Sequence, residues 1–124
     1  MATPTAAKFT TDGKSVDVRL GATVEALDVV YAEGWLGIAA SGGDSDDYIA
    51  LYVDEREYIF DVGANLPVNK GDIVYVDPTS LEGNQPALAG YTTTAGGGVI
   101  PLFKATTSKR VDNTVRGILI VGEA

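Results

Sequence analysis

The sequence predicts an all-β chain, a small antiparallel β-barrel or sandwich with an extended N-terminal arm. Three observations lead there. Valine, isoleucine and threonine supply 33 of the 124 residues, and β-branched side chains suit a pleated surface. Fifteen glycines punctuate the chain, as a fold with many tight turns requires. No window sustains a 3.6-residue apolar period; at most a helical turn is expected around residues 64–69. The length fits one domain, assigned to residues 12–124, with residues 1–11 as the arm.

The arm is small and rich in threonine and alanine, with Phe9 as its large apolar group. Such a segment cannot offset its own ordering entropy, so it is expected to be either disordered or ordered by a partner. Asp12-Gly13-Lys14 reads as a turn. Residues 15–20 alternate cleanly, with Val16, Val18 and Leu20 on one face, which predicts a strand with one wet face. Residues 29–31 and 35–40 predict a hairpin, with Gly34 taking the left-handed position of a three-residue loop. Residues 42–47 (GGDSDD) form a loop. Residues 48–53 and 57–62 predict a second hairpin around Asp54-Glu55-Arg56. A strand follows at 73–76, between Gly71-Asp72 and Asp77-Pro78. Residues 81–98 are loop-rich and end in Gly96-Gly97-Gly98. Residues 99–105 form a strand whose Pro101 demands an edge or a bulge, and residues 114–121 form the last strand.

Two strands are apolar on both sides. Ile49, Leu51 and Val53 point one way and Tyr48, Ala50 and Tyr52 the other; Leu119 and Val121 oppose Ile118 and Ile120. The second faces need cover, from another copy of the chain or from its own loops.

Composition closes off much chemistry. The chain has no cysteine and no histidine. It therefore holds no disulfide, zinc-thiolate site or cysteine nucleophile, and it lacks the commonest general base and metal ligand. Nine basic residues face 17 acidic ones, a net charge of −8, which argues against phosphate-backbone binding and against an anionic membrane surface. Residues 1–11 show no apolar core of signal-peptide length, so synthesis in a cytoplasm without machine-driven export is expected.

The remaining candidates are weak. Asp44, Asp46 and Asp47 could hold a hard cation, but glycine and glutamate are missing from the sixth and twelfth positions of a calcium loop. Ser45 has no histidine to activate it. Gly96-Gly97-Gly98 lacks the following Lys-Ser/Thr of a phosphate loop. Asp54 with Glu57, or Asp72 with Asp77, could do acid–base work, yet acids at strand ends are ordinary turn residues. Trp35 reads as core or as a binding anchor. Lys104, Lys109, Arg110 and Arg116 could meet an acidic surface or simply protect an edge. No catalytic residue, cofactor or metal site is assigned.

One pattern stands out across most of the chain: Phe9-Thr10-Thr11-Asp12-Gly13-Lys14-Ser15-Val16, then Val29-Val30 and Gly37-Ile38-Ala39, the segments 49–53 and 57–60, Gly71-Asp72-Ile73-Val74-Tyr75-Val76-Asp77, and finally Val115-Arg116-Gly117-Ile118-Leu119-Ile120. It resembles the small capsid-decoration (head-stabilising, cement) proteins of tailed bacteriophages. The segment between Asp77 and Arg116 is longer than the family's pattern, so residues 81–113 carry no expectation from it. The resemblance implies a non-enzymatic homotrimer on the outside of the expanded head, a virion protein made in the host cytoplasm. It would clamp neighbouring major capsid protein subunits against DNA pressure, touching neither nucleic acid nor membrane. The arm residues Thr3, Pro4, Thr5, Ala6, Ala7, Lys8 and Phe9 would reach a capsid subunit and add a strand to its sheet. Tyr48, Tyr52, Ile118 and Ile120, on the second apolar faces, would lie in the trimer interface. Two other classes compete: a surface- or carbohydrate-binding β module using Trp35 and Tyr91, and a trimeric β enzyme that needs clustered carboxylates for magnesium.

Overall fold

The computed structural model describes residues 14–120. The arm from Thr3 to Phe9 lies outside the described residues. The chain is all-β and antiparallel, with sandwich-like packing and no closed barrel. The first sheet has the order β1-β4-β3-β2, formed by β1 (Ser15–Arg19), β2 (Val29–Ala32), β3 (Trp35–Ala39) and β4 (Tyr48–Tyr52). The second has the order β5-β11-β10-β6-β9. Its members are β5 (Glu57–Asp61), β6 (Ile73–Val76), β9 (Tyr91–Thr92), β10 (Ile100–Ala105) and β11 (Thr114–Leu119). A small hairpin of β7 (Leu81–Glu82) and β8 (Gln85–Pro86) forms a two-stranded sheet of its own.

Alternation decides what each strand buries. In β3, Leu36 and Ile38 point into a main core shared with the second sheet, while Ala39 joins a second core on the opposite face. Residues of β1, β2 and β4 follow the same split: Val18, Val30, Ile49 and Leu51 enter the second core and Tyr52 packs against the main one. The second core needs no other copy of the chain. The segments after β1 and before β4 fold together over it, through Val24 N–H to Gly43 O (2.9 Å), Gly43 N–H to Val24 O (3.1 Å) and Leu20 N–H to Asp47 O (2.9 Å). Its own loops therefore cover the buried face of β4, leaving Leu51 fully buried and Ile49 5% exposed.

Three local expectations change. The β2–β3 turn is shorter than expected, because Ala32 pairs directly with Trp35. Glu33 (φ 50°) and Gly34 (φ 82°) are both left-handed, the geometry of a two-residue turn matched to strand twist. Next, β4 and β5 do not form a hairpin: β4 pairs with β1 and β3, whereas β5 crosses to the other sheet and, among the described strands, pairs with β11 alone. Last, residues 64–69 form no helical turn. Lys109 holds that segment instead, its Nζ donating to the carbonyls of Gly63 (3.0 Å), Ala64 (3.2 Å) and Leu66 (2.7 Å). Lys109→Met should cost about 2 kcal/mol, since bonds from a charged donor are lost and the carbonyls left short of a partner. A urea midpoint that falls with unchanged slope would show it.

Pro101 behaves as its chemistry demands. It lies in a strand with partners on both sides, and the register of β10 against β6 slips between Pro101 and Phe103, a bulge that removes the need for a proline N–H.

Candidate functional site

The acidic candidates do not assemble. Asp46 pairs with Arg19 (2.9 Å), Asp47 accepts from the Asp44 N–H (2.8 Å), and Asp44 accepts from the Thr23 hydroxyl (3.3 Å). Asp54 pairs with Arg56 (2.9 Å), and Glu57 accepts from the Thr106 hydroxyl (2.8 Å). Asp72 accepts from the Asn69 N–H (2.9 Å). Asp77 takes the N–H (2.9 Å) and hydroxyl (2.7 Å) of Thr79, and these bonds hold its carboxyl below the usual range. Each acid is occupied with closing a turn or meeting a neighbour. Among the described residues no group of three or more such side chains is placed to hold a metal ion.

The basic cluster is also divided. Lys109 serves the 63–66 segment, whereas Lys104, Arg110 and Arg116 are exposed. Lys104 joins Lys70, Ile118 and Ile120 around a shallow depression of about 600 Å³. Of the four expected trimer contacts, Ile118 and Ile120 thus come together. Tyr48 and Tyr52 lie on the other sheet: Tyr48 is 69% exposed, while Tyr52 packs against the main core beneath the Arg56 guanidinium, 4.0 Å from its ring centre.

A groove of about 790 Å³ is built from segments distant in sequence, and no single segment predicts it. β5 forms one wall. Leu27, Asp28 and Val29 from the start of β2 face it, together with the 85–89 segment. Ile38, Phe60 and Tyr91 form part of the lining, and exposed Leu27, Ile59 and Leu88 stand around it. Its charged lining residues are all acidic: Asp28, Asp61 and Glu82. Asn84, outside the lining, anchors the hairpin that carries Glu82 and Gln85 into it. Its Oδ1 accepts from the N–H of Gly21 (2.8 Å) and Ala22 (3.0 Å), and its Nδ2 donates to Tyr31 O (3.1 Å). Its carbonyl takes the Tyr31 N–H (2.7 Å). These bonds fasten the β7–β8 hairpin to the edge of β2.

The β5 wall is an open strand edge. Val62 N–H to Asn113 O (3.1 Å) and Leu119 N–H to Arg56 O (2.9 Å) bracket its pairing with β11. In an antiparallel ladder these bonds fix the phase. Tyr58 and Phe60 exchange bonds with β11, so the N–H and C=O of Glu57, Ile59 and Asp61 point the other way. β5 ends the sheet, and no described strand pairs with that edge.

The two aromatics named for a binding module part company. Trp35 is 48% exposed, but Tyr91 is 9% exposed and belongs to the main core. Burial, with the nearby Asp61 charge adding to it, pushes the Tyr91 hydroxyl up to about 12. An unfolded tyrosine titrates near 10, so the native state holds the proton more tightly there. Stability should therefore be steady below about pH 10 and fall by roughly 2–3 kcal/mol toward pH 12. Tyr91→Phe should flatten that decline, as equilibrium urea unfolding across the alkaline range would reveal.

No described helix is long and apolar enough to cross a membrane. No family model matches the chain, and neither a curated protein nor a solved structure does.

Proposed function

We propose that this protein decorates the outside of an expanded bacteriophage head as a homotrimer, clamping neighbouring major capsid subunits without catalysing a reaction. The observation that carries the reading is where the two most distinctive stretches of the resemblance fall. Gly71–Asp77 contains β6 and Val115–Ile120 contains most of β11, and the two strands flank β10 in one sheet. Segments separated by nearly forty residues thus form one scaffold. The chain's lack of histidine and cysteine and the dispersal of its carboxylates favour a structural role over an enzymatic one.

The arm supplies the grip. Thr3 to Phe9 is polar, carries β-branched threonines and can add a strand to a capsid sheet through its backbone. Three such arms on one rigid trimer act together through effective concentration, so each can bind weakly. The depression holding Ile118 and Ile120 supplies two of the proposed trimer contacts.

Co-sedimentation with expanded, undecorated heads of the encoding phage tests this. Saturation near one chain per capsid subunit is expected. A chain that stays in the supernatant, and instead binds glycan in a manner lost on Trp35→Ala, would replace this reading with a surface-binding module.

A further inference from the structure

We propose that the groove beside β5 is a strand-acceptor site whose occupant is the chain's own arm, paired along the open edge of β5 before any partner is met. Four observations combine. The edge offers in a row the N–H and C=O of Glu57, Ile59 and Asp61, which no described strand meets, a template for one more strand. The groove's charged lining residues, Asp28, Asp61 and Glu82, are all acidic, while residues 1–11 hold one lysine and no acid.

The two faces of the edge also match the arm. Glu57, Ile59 and Asp61 share the outer face of β5, and Tyr58 and Phe60 point inward. In an extended arm, Lys8 and Phe9 point to opposite sides. One pairing therefore sets Lys8 near the outer carboxylates and Phe9 over Leu27 and Leu88.

Reach completes the case. Val53 N–H donates to Lys14 O (3.0 Å), so the arm leaves the body four residues before β5 begins. Ile59 is then at most about 20 Å from Val53 along the chain, and the six residues from Lys8 to Lys14 span about 20 Å when extended, enough to set Lys8 beside it. A tether that short gives the arm a high effective concentration at the groove, ahead of any free peptide. This proposal stands on the groove alone. If it fails, head attachment is unaffected; a chain that binds no head can still show it.

Hydrogen exchange on the full-length chain tests it, read amide by amide and compared with a full-length Lys8→Glu/Phe9→Ser variant. The Ile59 and Asp61 amides should exchange about tenfold faster in the variant, at a rate independent of protein concentration. Tyr58 and Phe60, bonded to β11, should not change, which reports that the body is still folded. Equal, fast exchange of Ile59 and Asp61 in both proteins would overturn the proposal and leave the edge for an outside partner. Protection that grows with protein concentration would also overturn it, assigning the groove to the arm of a second copy.

Discussion

Replacing Gly117 with alanine is expected to lower stability by about 3 kcal/mol or more, at the upper end for overpacked cores. Gly117 sits on β11, paired with Tyr58 of β5 and Ala105 of β10. A Cβ there would lie 2.1 Å from Phe103 Cδ2. Phe103 is fully buried and stacks on Phe60 with ring centres 4.0 Å apart and planes 3° from parallel. The ring cannot retreat without breaking that stack, and two ladders hold the strand in place. Shrinking the ring should give part of the loss back. Phe103→Leu in the Gly117→Ala background should therefore cost less than the two single changes together. Urea unfolding of the four proteins gives the coupling. Additive costs would mean that the ring and the glycine do not share this space.

The second large effect falls on binding. Exchanging Thr3 to Phe9 for a glycine–serine segment of equal length should leave the fold intact and lower the urea midpoint only by the small amount the docked arm contributes, because the sheets and both cores lie within residues 14–120. On the proposed trimer, head attachment should weaken by at least about 100-fold, since three weak grips would be lost at once and avidity would multiply the loss. Sedimentation with heads over a range of protein concentrations measures it. Undiminished attachment would move the grip from the arm to the body.

Much of the fold is legible in local sequence. The alternation of residues 15–20 marks β1, Pro101 announces the bulge in β10, and Gly34 marks the β2–β3 turn. These signals are local, arising from side-chain period and backbone freedom. The failures are long-range. Residues 48–62 look like a hairpin because two apolar runs flank a polar turn, yet nothing local says that β5 will leave for another sheet. The double-sided β4 invites a second copy, but the segments around Val24 and Gly43, distant in sequence, cover one face. Lys109 reads as a surface cation until the carbonyls of residues 63–66 gather around it, and Asn84 looks like any turn asparagine.

The groove was least visible of all. Its walls come from β5, the start of β2 and the 85–89 segment, and its open edge follows from which partner β5 lacks. The one hint is the run Tyr58-Ile59-Phe60, which places Ile59 outward between two inward aromatics and leaves it 63% exposed. Of the proposed trimer contacts, the sequence grouped four residues by strand pattern alone. The folded chain gathers Ile118 and Ile120 and sends Tyr52 to the core.

The capsid reading is tested most directly by electron cryomicroscopy of expanded heads incubated with the purified protein. Decoration predicts added density on the outer surface at three-fold positions, three β-rich bodies each, with an arm running onto the neighbouring capsid subunit. A bare outer surface at saturating protein would contradict it.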